Sequence, residues 1–185
     1  VLAVICACYV LNMDINETIE DISQLKSVSG RFEKVKNDKN LNIFVDYAHT
    51  PDALDNVLKS IKSFVKGKII TGFGCGGNRE KEKRPIMGQI SQKYSDLTII
   101  TSDNPRYENP ENIIKDILEG IDRSKDDYLI IEDRKEAIRE SIYRARKGDI
   151  ILIAGKGHEN YQIVNDNIFE FDDKQVAKEI IDEMN

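Results

Sequence analysis

The stretch Ile150-Ile-Leu-Ile-Ala154, followed directly by Gly155-Lys-Gly-His-Glu159, decides the fold class. Five consecutive apolar residues without polar alternation are typical of a strand that is covered on both faces, as in a parallel sheet. The glycines and charged residues behind this run indicate a loop at the carboxyl end of the strand. Ligands of open parallel sheets bind beyond these carboxyl ends, so the loop is a candidate site.

Similar apolar runs predict four more strands, at Asn42–Asp46, Lys68–Gly72, Leu97–Thr101 and Tyr128–Glu132. Apolar residues at helical spacing lie between them, over residues 53–65 and 113–121. Such stripes fit helices packed on a sheet. Strands that alternate with helices predict an α/β fold, with a Rossmann-like, mostly parallel sheet flanked by helices.

The C-terminal part of the chain predicts three further elements. Asp133 and Glu136 resemble a capping pair at the start of a helix. Tyr161–Val164 and Ile168–Phe171 predict a β-hairpin around Asn165-Asp-Asn167, although this turn lacks glycine. A closing helix is indicated by three apolar residues at helical spacing, Val176, Ile180 and Ile181.

The N-terminal segment differs from the rest of the chain. Val1–Leu11 is apolar, like the central part of a signal peptide. A signal peptide also has a basic stretch before its apolar part, and neither a basic stretch nor an initiator Met precedes this segment. It is also shorter than the ~20 residues of a membrane span. We interpret it as the buried last helix of an upstream domain, so we expect the chain to be truncated. Ile15–Leu25 is predicted to form a second helix, and Ser27–Gly30 is the candidate linker.

Composition places the chain among ordinary globular proteins. Its 185 residues, 40% hydrophobic and 32% charged, are enough for one main domain. The formal net charge of -6 excludes a broad basic surface, so neither nucleic acid nor a membrane is an expected partner. Cys6, Cys8 and Cys75 lack zinc-ligand spacing and suit a reducing cytoplasm, and no metal-ligand cluster is evident.

Four loops behind predicted strands contain the candidate functional residues. These loops cover residues 46–52, 72–79, 103–106 and 155–159, and they include both histidines of the chain. Because the carboxyl ends of parallel strands meet at one edge of a sheet, we expect the loops to converge. The chain contains no Gly-x-x-x-x-Gly-Lys-Ser/Thr motif, so it has no P-loop. No Ser-His-Asp arrangement is evident either.

The glycine-rich loop 72–79 is followed by the cations Lys81, Lys83 and Arg84. Its backbone N–H groups can approach an anion closely, and the cations would supply positive charge. The alternative is a flexible turn with solvated basic side chains. Composition alone leaves both interpretations open.

Arg106 and Glu159 are candidate ligands for a charged small molecule. Arg106 follows an Asn-Pro bend, which can hold its planar guanidinium for a forked contact with a carboxylate. The alternative is an exposed arginine that pairs with Asp103 or Glu108. Glu159 follows a buried strand and could accept hydrogen bonds from an ammonium group, or it could be an ordinary surface residue.

His49 and Asp46 are candidate nucleotide ligands. His49 lies just before a predicted helix N-terminus, a common location for phosphate-binding groups. The alternative is a structural histidine with internal partners. Asp46 could bind a ribose hydroxyl or a cationic group, or it could accept hydrogen bonds from loop amides.

Five ordered motifs together resemble the third domain of the Mur ligases, most closely the branch of UDP-N-acetylmuramoyl-tripeptide synthetases that adds meso-diaminopimelate. The resemblance covers the chain from about residue 28 to its end. The motifs are Gly30-Arg-Phe-Glu33, Asp46-Tyr-Ala-His-Thr-Pro-Asp-Ala-Leu54, Gly74-Cys-Gly-Gly-Asn-Arg79 with Lys83-Arg-Pro85, Asp103-Asn-Pro-Arg106, and Ala154-Gly-Lys-Gly-His-Glu159 with Tyr161-Gln162.

The resemblance implies an ATP-dependent ligase of peptidoglycan biosynthesis. In this family ATP phosphorylates a carboxylate of the substrate, here UDP-MurNAc-L-Ala-D-Glu, and the amine of the incoming amino acid displaces phosphate. The P-loop and the Mg²⁺ ligands belong to the central domain. Residues 1–27 would then be the last helices of that domain and residues 28–185 the third domain. By itself this chain is expected to be inactive, with no complete catalytic set.

The resemblance also assigns site residues. Arg31, Asp46 and His49 would contact ATP. The meso-diaminopimelate would be held by Arg79, Asp103, Asn104, Pro105, Arg106, Gly155 and Glu159. Alternatives are a lysine-adding ligase, a relative of folylpolyglutamate synthetase, or a non-catalytic module that binds an amino acid or nucleotide.

Overall fold

A six-stranded sheet lies at the centre of the computed structural model, which describes residues 2–24 and 28–184. The strand order is β1-β2-β6-β3-β4-β5. All neighbouring pairs are parallel except β1 and β2. The strands are β1 (Glu33–Lys34), β2 (Asn42–Asp46), β3 (Ile69–Phe73), β4 (Leu97–Ile100), β5 (Tyr128–Ile130) and β6 (Ile150–Ala154).

Five of the seven described helices cover the faces of this sheet. The helices are α1 (Leu2–Val10), α2 (Ile15–Gln24), α3 (Pro51–Phe64), α4 (Lys83–Tyr94), α5 (Pro110–Leu118), α6 (Arg134–Arg144) and α7 (Asp173–Glu183). The helices α3, α4 and α5 pack on one face, and α6 and α7 pack on the other. The predicted α/β class, with a mostly parallel sheet between helices, is confirmed.

The central strand β6 explains the apolar run that predicted this fold. Ile150, Leu152 and Ala154 belong to the core on the α3–α5 side. Ile151 and Ile153 belong to the core on the α6–α7 side. Because successive side chains of a strand point to opposite faces, a strand covered on both faces needs apolar residues at every position.

Side-chain caps fix where two helices begin. Thr50 accepts a hydrogen bond from the backbone N of Ala53, and Pro51 occupies the first turn of α3. Asp133 accepts from the backbone N of Glu136, so the start predicted for α6 is confirmed. The side chain of Glu136 accepts from Arg139 and does not complete a reciprocal pair. Both caps satisfy N–H groups that have no partner within their helix.

One helix, α4, was not predicted, and its composition explains why. Its buried residues include Arg84, Ser91 and Gln92 beside Met87 and Gly88. A helix that buries polar side chains through specific hydrogen bonds has no apolar stripe to detect. The two-residue strand β1 was also missed. The bounds predicted for β2 and β6 are confirmed, and those predicted for β3, β4 and β5 differ from the structure by one or two residues.

The N-terminal helices form where they were predicted. Burial of the first against an upstream domain stays a prediction, because the described residues include no such domain. No residue of α1 is buried, and Leu2 and Val10 are 74% and 75% exposed. The physical reason is that none of the described residues covers its apolar surface. Leu25 and Ser27, in the predicted second helix and linker, lie outside the described residues. Among the described residues, no helix has the length and apolar character to cross a membrane.

The predicted hairpin is present, with strands β7 (Tyr161–Val164) and β8 (Asn167–Glu170). The turn is one residue shorter than predicted, because Asn167 pairs with Val164. Asn165 adopts a left-handed conformation with φ 52°, a conformation that asparagine tolerates better than most residues, so the turn needs no glycine. The hairpin lies against the loop that follows β4, where Val164 bridges Arg106.

Candidate functional site

A cavity of about 670 Å³ lies at the carboxyl ends of β2, β3, β4 and β6. The four predicted loops converge on it, as expected for a parallel sheet. Most predicted site residues line this cavity: His49, Arg79, Asp103, Asn104, Arg106, Gly155 and Glu159. The other three, Arg31, Asp46 and Pro105, do not line it.

Asn104 holds the carboxylate of Glu159 at the cavity wall through a hydrogen bond. Asn104 is buried, and its Nδ2 donates to Oε2 of Glu159 at 2.9 Å. The hydroxyl of Tyr47 lies 3.5 Å from the other carboxylate oxygen. Glu159 therefore has a defined orientation and can accept hydrogen bonds from an ammonium group in the cavity.

Arg106 reaches the same cavity from a strained backbone. Its φ is 52°, and the hairpin fixes this conformation through two backbone hydrogen bonds. The N of Arg106 donates to the carbonyl of Ile163 at 3.0 Å, and the N of Asn165 donates to the carbonyl of Arg106 at 2.8 Å. A left-handed conformation in a non-glycine residue persists only where its surroundings impose it.

The guanidinium of Arg106 makes only neutral contacts among the described residues. Its Nη1 donates to the carbonyl of Gly77 at 2.9 Å and lies 3.4 Å from that of Asn104. The carboxylates proposed as alternative partners are engaged elsewhere. Glu108 pairs with Arg84, and Asp103 accepts from the backbone N of Asn104 and lies 3.9 Å from Nη1 of Arg134. Arg106 therefore retains donors and an uncompensated charge for a ligand.

The glycine loop approaches the Asp103–Arg106 loop too closely for any side chain at Gly77. A Cβ atom there would lie 1.9 Å from the carbonyl oxygen of Pro105. The N of Gly77 donates to the carbonyl of Asn104 at 2.9 Å. The loop is thus a fixed wall of the cavity and not a flexible turn, which brings Arg79 to the cavity edge.

The expectation that Arg84 supplies charge for an anion is wrong. Its side chain is fully buried in α4 and donates to Glu108 at 2.9 and 3.0 Å and to Asp116 at 2.7 Å. It also reaches the carbonyl of Gly76 at 3.2 Å. Arg84 therefore ties the glycine loop to the segment behind Arg106. The sequence could not reveal this role, because it does not show where α4 begins.

The ion pair between Arg84 and Glu108 predicts a pH dependence of stability. Hydrogen bonds from Arg84 hold the pKa of Glu108 at about 2, below its ordinary value of 4.5. A lowered carboxyl pKa stabilises the fold above the unfolded-state value, and this contribution is lost as the pH falls towards the folded-state value.

Urea denaturation of the wild type and Glu108→Gln tests this dependence. We expect the difference in their free energy of unfolding to shrink as the pH falls from 4.5 towards about 2. Protonated glutamic acid and glutamine are similar in shape and charge, so the two proteins become alike. A difference that stays constant over this range would contradict the role of the pair.

Two of the three predicted nucleotide ligands, Arg31 and His49, lie beside an aromatic ring that was assigned no role from the sequence, that of Tyr47. The guanidinium carbon of Arg31 lies 4.6 Å above the ring of Tyr47, and the ring of His49 lies 4.4 Å from it. Nδ1 of His49 is 2.8 Å from the carbonyl of Tyr47, so Nδ1 carries the proton. The only signal for Tyr47 was its place between two candidate residues.

Asp46 takes the alternative role that the sequence left open. Its Oδ2 accepts a hydrogen bond from the backbone N of Phe32 at 2.7 Å. This contact joins the strand β2 to the turn that carries Arg31. Asp46 is therefore an internal acceptor for a loop amide, with its second carboxylate oxygen not committed to that bond.

Two further residues line the cavity: Lys83, which was expected to supply charge for an anion, and Cys75, which was assigned no role. Nζ of Lys83 donates to the carbonyl of His49 at 2.8 Å, which links α4 to the loop after β2. Burial raises the pKa of the Cys75 thiol to about 12, so this cysteine is not a thiolate at neutral pH. Within residues 2–24 and 28–184, no group of three or more His, Cys, Asp or Glu side chains is arranged to hold a metal ion.

Comparison with known proteins gives a consistent result. The family profile described as "Mur ligase, glutamate ligase domain" matches residues 30–157. The chain is 58% identical over 183 residues to the UDP-N-acetylmuramoyl-L-alanyl-D-glutamate--2,6-diaminopimelate ligase of Clostridioides difficile, covering 99% of this chain and 38% of that protein. The ligase of the same name from Syntrophomonas wolfei is 52% identical over 161 residues, covering 86% of this chain and 33% of that protein.

Solved structures agree with these matches. A structure of a UDP-N-acetylmuramoyl-L-alanyl-D-glutamate--2,6-diaminopimelate ligase superposes with a TM-score of 0.80 at 41% identity, covering 98% of this chain and 37% of that one. The UDP-N-acetylmuramate-alanine ligase MurC of Thermotoga maritima has a TM-score of 0.69 at 18% identity, covering 98% of this chain and 36% of that one, and shows a shared fold only. The chain thus spans less than two fifths of the length of these relatives.

Proposed function

The chain belongs to the Mur ligase family, and from this premise we propose that it is the amino-acid-binding part of a ligase that adds meso-diaminopimelate to UDP-MurNAc-L-Ala-D-Glu. The proposal extends to this chain what the names of its relatives state for them. The observation that carries it is the convergence of Arg106, Asn104 and Glu159 on one cavity. We call the whole protein that carries this chain the full-length ligase.

The charges in the cavity suit a diamino dicarboxylic acid. Glu159, oriented by Asn104, accepts hydrogen bonds from an ammonium group of the substrate. Arg106, and Arg79 at the cavity edge, donate to its carboxylates. Lysine lacks the distal carboxylate, so it would leave the charge of Arg106 uncompensated. A desolvated pair of this kind is worth about 2–5 kcal/mol when one partner is removed, enough to set substrate choice.

The remaining site residues have supporting roles in this proposal. Pro105 fixes the bend that presents Arg106, and Asp103 holds the same loop by accepting from the backbone N of Asn104 at 2.7 Å. Gly155 keeps the cavity floor open, because a Cβ atom there would lie 2.7 Å from Oδ2 of Asp103. Arg31, His49 and the second oxygen of Asp46 would contact ATP beside Tyr47.

Other parts of the full-length ligase would bind the triphosphate and Mg²⁺. The chain has no P-loop, and its described carboxylates form no cluster that fits a metal ion. We propose that residues 1–27 belong to the central, ATP-binding domain and residues 28–185 to the third domain. The exposed apolar surface of α1 and the start of the family match at residue 30 support this division. By itself the chain is expected not to ligate, since positioning of phosphates is most of phosphoryl-transfer catalysis.

The reaction would take place in the cytoplasm, where ATP and the nucleotide-linked precursor are available. ATP would phosphorylate a carboxylate of UDP-MurNAc-L-Ala-D-Glu, and the amine of meso-diaminopimelate would then attack the acyl phosphate and release phosphate. The role of this chain would be to hold the amino acid so that its attacking amine faces the acyl phosphate. Orientation of this kind can supply a large part of a rate enhancement.

A competition assay on the full-length ligase tests the proposal. The enzyme receives UDP-MurNAc-L-Ala-D-Glu, ATP, Mg²⁺ and equal concentrations of meso-diaminopimelate and lysine. We expect the diaminopimelate product to exceed the lysine product by about 30-fold or more. A dominant lysine product would assign the chain to a lysine-adding ligase. No ATP-dependent product with either amino acid would favour a different substrate or a binding module.

A further inference from the structure

We propose that Lys156 is a positioning residue that fixes the side-chain amide of Asn104 and, through it, the carboxylate of Glu159. The inference rests on the proposed function, in which Asn104 and Glu159 hold the amino acid. Lys156 does not line the cavity and so would not touch the substrate. It would act on substrate binding only through its contact with Asn104.

The backbone around Lys156 turns its side chain into the protein. The flanking glycines have φ values of 117° at Gly155 and 56° at Gly157. A Cβ atom at Gly157 would lie 2.6 Å from Cβ of Tyr47. Both positions therefore require glycine. The result is that Lys156 is fully buried, although a lysine between glycines in a loop would suggest an anion ligand.

Hydrogen bonds give Lys156 a specific partner. Its Nζ donates to Oδ1 of Asn104 at 3.1 Å and to the carbonyl of Tyr161 at 2.5 Å. The backbone N of Ile163 donates to the same Oδ1 at 2.9 Å. Two donors on this atom exclude the flipped amide, because an NH₂ group cannot accept hydrogen bonds. The NH₂ group of Asn104 must therefore face Glu159.

Charges of both signs surround the buried ammonium group of Lys156. Burial lowers the pKa of Lys156, and the carboxylates of Asp103, Asp173 and Glu159 act in the opposite direction. The neighbouring cation, Arg134, forms a forked pair with Asp173 at 2.7 and 2.8 Å. Loss of Lys156 would leave Oδ1 of Asn104 with one donor, the backbone N of Ile163, and would remove one of the cations near Glu159.

Kinetics of the full-length ligase test the inference. We expect Lys156→Met to raise KM for meso-diaminopimelate by about 10-fold and to leave KM for ATP unchanged. Lys156→Gln, which keeps a donor for Asn104, is expected to recover part of the loss. Lys93→Met, at an exposed position on α4, is the matched control and should behave as the wild type.

The same substitution in an Asn104→Ala background distinguishes positioning by Lys156 from a general effect on folding. If Lys156 acts through Asn104, Lys156→Met should add little to the KM for meso-diaminopimelate once Asn104→Ala is present. An equal rise in KM for both substrates, or a full additional effect in the Asn104→Ala background, would overturn the inference. If Lys156→Met does not fold, Lys156→Gln decides, and a wild-type KM for meso-diaminopimelate in that variant would also overturn it.

The wild type keeps the two proposals distinguishable. If the wild-type ligase does not use meso-diaminopimelate, the proposed function falls and this inference falls with it. If the wild type uses it and Lys156→Met has the same KM, only the role of Lys156 is refuted.

Discussion

Replacing Arg106 with alanine in the full-length ligase is expected to lower kcat/KM for meso-diaminopimelate by about 30-fold or more, while KM for ATP stays unchanged. The loss is expected because, in the proposed site, Arg106 makes a charge-assisted pair of hydrogen bonds to the distal carboxylate, and alanine has no donor to replace it. Alanine and arginine are both non-glycine residues, so the left-handed backbone at this position, with φ 52°, costs a similar amount in each.

Two controls define what this result means. Arg106→Lys keeps the charge but not the planar fork, so its kcat/KM should fall between the wild type and Arg106→Ala. Arg144→Ala removes a half-exposed arginine of α6 that pairs with Glu140 outside the cavity, and it should have no effect. If Arg106→Ala weakens ATP use as much as diaminopimelate use, the assignment of Arg106 to the amino acid is wrong.

Replacing Arg84 with methionine is expected to destabilise the protein by about 3–5 kcal/mol, the usual cost of removing one partner of a buried ion pair. The change leaves Glu108 and Asp116 without the guanidinium that now bonds to both. It also removes the link to the glycine loop through Gly76. Urea denaturation of the wild type and the variant measures the difference.

A second substitution distinguishes loss of the Arg84–Glu108 ion pair from loss of packing as the cause of the destabilisation. Glu108→Gln in the Arg84→Met background removes one of the uncompensated charges, so we expect the double variant to be more stable than Arg84→Met alone. A destabilisation below about 1 kcal/mol, the range of an exposed ion pair, would show that Arg84 is not the structural bridge described above.

The parts of the fold that depend on apolar pattern were predictable from the sequence. The run at Ile150–Ala154 identified a strand covered on both faces, and its parallel partners followed from similar runs. The same topology explains why the predicted loops converge, since parallel strands end at one edge. Arg106 and Glu159 could therefore be placed at one site before any contact was known.

The parts that depend on buried polar groups were not predictable. The helix α4 buries Arg84, Ser91 and Gln92, so its inner face has a polar pattern. Lys156 is buried because two neighbouring glycines adopt positive φ angles, which sequence does not specify. In both cases a hydrogen-bond network, and not hydrophobicity, decides where the side chain lies.

The most direct test of the proposed amino-acid site is a crystal structure of the full-length ligase with meso-diaminopimelate bound. We expect the guanidinium of Arg106 to lie about 3 Å from the distal carboxylate. The carboxylate of Glu159 should lie at a similar distance from an ammonium group of the same molecule. A bound diaminopimelate outside this cavity, or one whose distal carboxylate has no contact with Arg106, would contradict it.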